Sequence, residues 1–402
     1  MKVFILTLGC PKNIVDSERL ASALREHGHE IAGFAGDADL VLVNTCAFLR
    51  EAEREARSVI ARMARAKPVG VIGCLPARRK QTRRIRGQAP AGTTEIIALA
   101  DRIFRDPDYP GRLLDSRPYA YLKIAEGCSR RCSFCVIPAI RGPLRSRAIG
   151  SILVEARALL DSGKKELVLV AQDTSQFGQD TGESLTDLLV ALDRLKRDFW
   201  LRLMYLHPGG VDRKLAQALG SLDHLVPYLH VPVQHFSDRL LRAMGRERGR
   251  ADVERALEAV RSALPRAFIR TDVMVGFPGE CEEDFDLLLQ EIGEGTFHRV
   301  AVFLYSAEEG SPGFNMQQPD TDVISERFAM ALSAADALHM RVQAGLVGKQ
   351  LRVMVDGPGT GRTAYDAPEV DFNVILPAGI QPGGFVDVVP RAINEEGDLL
   401  AG

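Results

Sequence analysis

The chain has 402 residues, of which 46% are hydrophobic and 26% charged, and its formal net charge is -2. That balance belongs to a globular protein of two or three domains and excludes a disordered chain or one whose overall basic field would gather nucleic acid. No apolar run approaches the roughly 18 residues needed to span a bilayer.

Val3–Leu8 is shorter than the roughly 7–15 apolar residues of a secretory signal core. The N-terminus therefore reads as a strand of a cytoplasmic protein. Val3–Leu8, Leu40–Val43 and Val69–Ile72 are compact, β-branched runs suited to buried parallel strands. Asp16–His27 and Glu51–Ala66 read as helices between them. The pattern predicts a doubly wound α/β domain over 1–110.

Each of these strands runs into a cysteine: Cys10, Cys46 and Cys74. Ligands of open parallel sheets bind beyond the carboxyl ends of the strands. Three cysteines at three such ends predict a shared metal or cluster site, against the alternative of three small buried hydrophobes. Residues 78–117 open with Arg78, Arg79, Lys80, Arg83, Arg84 and Arg86. They read as a solvated linker, with a contact to ribosomal RNA as a second reading.

Six apolar strand candidates follow: Tyr119–Ala125, Leu167–Ala171, Trp200–Leu206, Tyr228–Val233, Phe268–Val275 and Val300–Tyr305. Helical patterns separate them at Ser151–Leu160, Leu185–Leu195, Arg213–Leu219, Arg239–Leu264 and Glu282–Ile292. Six βα units predict a partial (βα)6 barrel over 114–343, with its chemistry at the C-terminal strand ends. Glu126 to Cys135, Gln172 with Asp173, and Gln234 with His235 fall at those ends. From 346 to 402, alternating Leu351, Val353 and Val355 and the run Phe385–Val389 predict a small β-barrel.

Cys128, Cys132 and Cys135 form a Cys-x3-Cys-x2-Cys on the first barrel loop. Three thiolates can hold three irons of a cubane and leave the fourth open. Zinc competes for paired cysteines, but a closed zinc site needs a fourth ligand. No Cys or His lies nearby in sequence, the next histidine being His207. Cys281 falls beside a helix start and reads as structural.

This motif, at the end of the first strand of an incomplete barrel, resembles the radical S-adenosylmethionine enzymes. The resemblance implies that the open iron binds S-adenosylmethionine and that Phe134 packs near its adenine. It also implies cofactor contacts at Gln172 and Asp173, for which loop capping is the alternative. The three-part layout resembles the methylthiotransferases of that superfamily, in which Cys10, Cys46 and Cys74 match the ligands of a second 4Fe-4S cluster. The third part is then a TRAM-like, OB-like module. The implied reaction replaces C–H by C–S–CH3.

Cys10-Pro11-Lys12-Asn13, Val15-Asp16-Ser17-Glu18, Arg145-Ser146-Arg147 and Asp366-Ala367-Pro368-Glu369-Val370-Asp371 resemble one branch of that family. That branch modifies the β-carbon of an aspartate of ribosomal protein S-twelve. The implied partners are that basic protein, an electron donor and a sulfur donor, without membrane or direct tRNA contact. From Lys349 onward four basic residues stand against eight acidic ones, a net −4. That surplus suits a basic protein partner better than phosphates. Two other readings stay open: a tRNA adenosine methylthiotransferase, and a non-enzymatic iron–sulfur or zinc sensor that binds nucleic acid.

Overall fold

The computed structural model describes residues 1–80, 84–246 and 248–401. It begins with β1 (Lys2–Thr7), α1 (Pro11–Glu26), β2 (Glu30–Ile31), β3 (Leu40–Thr45), α2 (Arg50–Met63), β4 (Val69–Gly73), α3 (Cys74–Arg79), β5 (Ile85–Arg86) and α4 (Thr93–Arg105). The sheet order is β2-β1-β3-β4-β5, parallel except where β5 closes the edge against β4. β3 is buried along its whole length, as a central parallel strand covered on both faces must be. In α2 the buried Glu53, Ala56, Val59 and Ile60 recur at helical spacing, so that face packs down and the arginines face water.

The linker expected over 78–117 is not one. Its middle forms α4, whose Ile96, Ile97, Ala100 and Ile103 pack with Leu20 and Leu24 of α1. The basic run is tied into the protein. Arg78 pairs with Glu308 at 2.6 Å and is almost wholly buried, Arg79 pairs with Glu53, and Arg84 pairs with Asp101. Residues so committed are poorly placed to hold RNA phosphates. Arg83 lies outside the described residues.

The second unit follows with β6 (Tyr119–Lys123), β7 (Ala125–Glu126), α5 (Ile137–Arg141), β8 (Arg145–Ser146), α6 (Ile149–Asp161), β9 (Glu166–Val170), α7 (Leu185–Asp193), β10 (Trp200–Leu203), α8 (Arg213–Gly220), β11 (Leu225–His230), α9 (Asp238–Ala243), α10 (Arg250–Ala263), β12 (Phe268–Val275), α11 (Glu282–Gly293), β13 (Arg299–Leu304) and α12 (Thr321–Ala344). The six long strands pair in chain order, β6-β9-β10-β11-β12-β13, all parallel. This is the open (βα)6 sheet expected. Alternate residues split between two cores: Leu122, Leu169, Leu203 and Leu229 meet the helices, while Tyr121, Val170, Met204 and Tyr228 fill the lumen.

The single helix expected over 239–264 is two, α9 and α10. The chain breaks after Met244, and the loop packs on the first barrel loop, where Met244 O accepts from Ser133 N at 3.0 Å. The 24-residue helix α12, absent from the sequence reading, packs on β13 and α11. Among the described residues no helix is long and apolar enough to cross a membrane.

The last unit has β14 (Leu351–Gly357), β15 (Thr360–Thr363), β16 (Val374–Ile375), β17 (Phe385–Val388), β18 (Ala392–Ile393) and β19 (Leu399–Leu400), paired β17-β14-β15-β16-β19-β18. It plugs the N-terminal end of the barrel. Arg299 meets Asp366 at 3.0 Å, Arg270 meets Asp371, Tyr121 Oη donates to Glu369 at 2.9 Å, and Arg362 meets Glu166. These pairs take much of the weight from the charge argument. Asp356, Asp366, Glu369 and Asp371 are half of the module's acids; three are spent on arginines inside the protein, and the exposed Glu369 pairs with Arg117 at its edge. The Asp-Ala-Pro-Glu-Val-Asp stretch is the seal of the barrel rather than a face for a basic partner.

Candidate functional site

Cys10 is the N-cap of α1, Cys46 follows β3, and Cys74 opens α3 directly after β4. Parallel pairing of β1, β3 and β4 brings the three strand ends side by side. Two glycines let them crowd. Gly9 has φ +99°, and a Cβ there would lie 2.6 Å from Cys46 Cβ; at Gly73, φ +86°, it would lie 2.3 Å from Asn44 Oδ1. Asn13 ties the loops together, donating to Leu8 O at 3.1 Å and Thr45 O at 3.0 Å and accepting from Arg141 at 2.8 Å. Burial raises the Cys46 thiol and takes Cys74 to about 12, the latter against the pull of Arg141.

Cys128, Cys132 and Cys135 sit on the loop after β7, at the C-terminal end of the barrel. Gln176 Nε2 donates to Cys128 Sγ at 3.1 Å, and Ile137 N donates to Cys135 Sγ at 3.4 Å. Burial raises Cys128 and takes Cys135 to about 12. All seven cysteines are free thiols. Cys281, at the surface, caps α11 through Asp284, as its place before a helix suggested.

Iron–sulfur chemistry fits this donor set. Thiolate sulfurs of such clusters accept N–H hydrogen bonds, and N–H groups already point at two sulfurs of the barrel loop. Arg246 is buried, faces Cys132 and Cys135, and has Nε and Nη1 without a partner. A buried cation lacking an anion is costly, and an anionic thiolate cluster would supply one. Among the described residues no three His, Cys, Asp or Glu side chains are set to hold a single metal ion; in a cubane each thiolate sits on its own iron. Ligation requires thiolates, so loading releases the protons that burial favours.

A buried ionic knot joins the two triads. Arg141 Nη1 meets Asp16 at 2.9 Å and Glu126 at 3.0 Å, and its Nη2 reaches Cys74 Sγ at 3.5 Å. Lys123 also binds Asp16 and Glu126, and Gln172 Nε2 donates to Glu126 at 2.7 Å. Glu126 stays at about 2 against burial because Arg141 and Lys123 flank it. The knot runs from Cys74 to the residue two places before Cys128. Arg141 and Gln176 escaped the sequence reading, since nothing in their local pattern marks them.

Asp173 caps the turn that follows β9. Its carboxylate accepts from Ser175 N at 3.0 Å, Gln176 Nε2 at 2.9 Å and Arg130 Nε at 2.6 Å. It thereby aims Gln176 at Cys128. Gln172 keeps Oε1 buried and unpartnered. Phe134 packs against Leu240, Met244, Phe277 and Tyr305. His235 is buried, with Nδ1 accepting from Ser237 N at 3.0 Å, and Gln234 adopts φ +76° beside β12.

Residues 122–292 match the model of the Radical SAM superfamily, and residues 2–91 match the Uncharacterized protein family UPF0004. A protein of Thermotoga petrophila described as ribosomal protein uS12 methylthiotransferase RimO is 40% identical, over 98% of this chain and 98% of its own. A protein of Bdellovibrio bacteriovorus with the same description is 36% identical, over 99% and 96%. Among solved structures, the radical S-adenosylmethionine methyltransferase TsrM of Kitasatospora setae, with cobalamin and a 4Fe-4S cluster bound, superposes with TM-score 0.55. It is 17% identical, over 78% of this chain and 74% of that one, a likeness of fold. Cys10, Cys46 and Cys74 lie inside the first matched region and Cys128, Cys132 and Cys135 inside the second. With identity of this level across nearly the whole of both chains, the chain belongs to the RimO family of ribosomal protein uS12 methylthiotransferases.

Proposed function

We propose that this chain adds a methylthio group to the β-carbon of an aspartate of ribosomal protein uS12, in the cytoplasm, with help from an electron donor and a sulfur donor. Near full-length identity to relatives of that description supports the reading. The observation that carries it in the structure is the buried knot of Asp16, Lys123, Glu126 and Arg141 spanning the two cysteine triads. In this reading the working parts are 1–110, 114–343 and 346–402.

Cys128, Cys132 and Cys135 would hold one 4Fe-4S cluster, and Cys10, Cys46 and Cys74 a second. When bound, these clusters supply the electron that cleaves S-adenosylmethionine and a place to hold the incoming sulfur. A carbon with no acidic proton resists base-and-nucleophile chemistry, so a radical must open it. This chain's own residues supply order. Asp173 and Gln176 orient Cys128, and Asn13 and Arg141 orient Cys10 and Cys74. Holding both triads on one rigid knot gives the proximity such a transfer needs. The C-terminal module closes the far end of the lumen with ion pairs and the Trp200–Phe385 contact, so water is kept from that side. Phe134 and the free Oε1 of Gln172 remain the candidates for S-adenosylmethionine contact.

Mass spectrometry of uS12 from cells lacking this chain tests the reading, and the aspartate should lose its methylthio mass. An unchanged methylthio level in uS12 refutes it, and loss of methylthio-adenosine from tRNA would assign the chain to the other branch. Anaerobic reconstitution should give about eight irons per chain, with Cys10→Ala and Cys128→Ala each keeping about half.

A further inference from the structure

The buried charges around the triads are mostly matched: Lys123 and Arg141 with Asp16 and Glu126, and Arg130 with Asp173. Lys12 forms no ion pair with an acid, although the thiol of Cys10 and, more weakly, Glu126 favour its charge. It is 9% exposed, and among the described residues its ammonium makes neither a hydrogen bond nor an ion pair. Its one close partner is the ring of Tyr205, 4.1 Å from Nζ to the centroid. Tyr205 holds φ +60°, a strained conformation for a bulky residue and one that clusters at ligand sites. Thr174 fixes that conformation, its N donating to Tyr205 O at 3.1 Å and its hydroxyl to Met204 O at 2.7 Å.

The contact has a location. Lys12 stands two residues after Cys10, and Tyr205 follows β10 at the mouth of the barrel. Tyr205 also packs edge-on against His230 at 5.1 Å, and His230 Nε2 is 2.9 Å from Asp272 Oδ2. His230 Nδ1 and Gln172 Oε1, at strand ends of the barrel, are buried polar atoms without a hydrogen-bond partner, as is Asp272 Oδ1, which lies 3.7 Å from Arg270 Nη2. Of these groups Lys12 alone attracts an anion; the acceptor atoms Gln172 Oε1 and Asp272 Oδ1 suit N–H donors of a peptide lying beside it.

We propose that Lys12 binds the side-chain carboxylate of the target aspartate. The proposal rests on the reading under Proposed function. Its chemistry is direct: the carbon to be modified is bonded to the carboxylate carbon, so fixing the carboxylate fixes the reacting carbon to within one bond. Tyr205 holds the ammonium by cation–π attraction and leaves its N–H donors free. S-adenosylmethionine also carries a carboxylate, and the test separates the two sources.

The holoenzyme is titrated anaerobically with a fluorescent uS12 peptide carrying the aspartate and with the same peptide carrying asparagine, and anisotropy is read. Wild type should bind the aspartate peptide roughly 10- to 150-fold more tightly, the range of one charge-assisted hydrogen bond. Lys12→Met should abolish that preference, and Lys12→Arg should restore part of it. Iron content checks that each variant is loaded. Should Lys12→Met lose iron, Lys12→Gln, checked for iron in the same way, takes its place. Equal wild-type affinity for both peptides overturns the proposal. So does a Lys12→Met variant that keeps the preference, or one that loses affinity for S-adenosylmethionine instead. If the wild-type holoenzyme binds but never methylthiolates the aspartate peptide or uS12, the underlying reading fails. If it methylthiolates without preferring aspartate in binding, only the role of Lys12 fails.

Discussion

Glu155 anchors the N-terminal unit to the barrel, and replacing it by glutamine offers a sharp test of the electrostatics. Its carboxylate lies on α6 and meets Arg112 at 2.9 Å, Arg147 at 2.7 Å and Arg19 of α1 at 3.2 Å. Arg112 keeps Glu18 and Arg147 keeps Asp108 as second partners. Among the described residues Arg19, with no side-chain exposure, has otherwise only Pro107 O. Burial opposes ionisation of Glu155, yet Arg147, Arg112 and Arg19 hold it at about 2 against an ordinary 4.5. That difference corresponds to about 3 kcal/mol. The folded value lies below the unfolded one, so the contribution is complete above about pH 4.5 and fades as pH falls toward 2. Glutamine imitates the protonated acid. The gap between wild type and Glu155→Gln should thus be about 3 kcal/mol at pH 7 and about half of that at pH 3. The single tryptophan, Trp200, is buried in the barrel against Phe385 and reports urea unfolding by fluorescence. The difference between the two proteins isolates Glu155 from the other acids. A gap independent of pH, or one below about 1 kcal/mol at pH 7, would refute the argument.

Two further outcomes follow from the packing. Asp371→Asn takes from Arg270 its close anion, leaving only Asp272 at 3.7 Å, and weakens the bond from Tyr228, so the C-terminal seal should lose roughly 2–3 kcal/mol; limited proteolysis should then release the segment after α12 faster than in wild type. Gly73→Ala puts a methyl group 2.3 Å from Asn44 Oδ1 and 2.8 Å from Thr45 O at a positive φ, so the Cys10–Cys46–Cys74 site should be lost while the barrel site stays. Iron per chain should fall by about half, and full iron retention would contradict the crowding described.

Local pattern carried a large part of the architecture. The six barrel strands, most of their helices, the α/β layer and the C-terminal strands follow from periodicities of 2 and 3.6 and from turn residues, which neighbouring residues decide. The clustering of Cys10, Cys46 and Cys74 was legible for the same reason: parallel strands put their ends together, and each cysteine stands at one. The break between α9 and α10 was missed because Gly245 and Gly249 serve contacts that the local pattern does not show: a Cβ on Gly245 would press on Arg131 O of the first barrel loop at 2.7 Å, and one on Gly249 would clash with Asp238 at the start of α9.

What the amino-acid order alone determined, then, is the set of elements and the two groups of thiols, because both depend on short-range spacing. Only the tertiary structure decided which charges meet. Arg141 finds Asp16 across 125 residues, and Arg362 finds Glu166 across 196. Such pairs carry no local signature, for a buried ion is tolerated only where the fold brings its counter-ion. The same reason turned the basic run at Arg78 and the acidic stretch at Asp366 from expected surfaces into internal seams, and left Lys12 at the mouth of the barrel with no ion pair among the described residues.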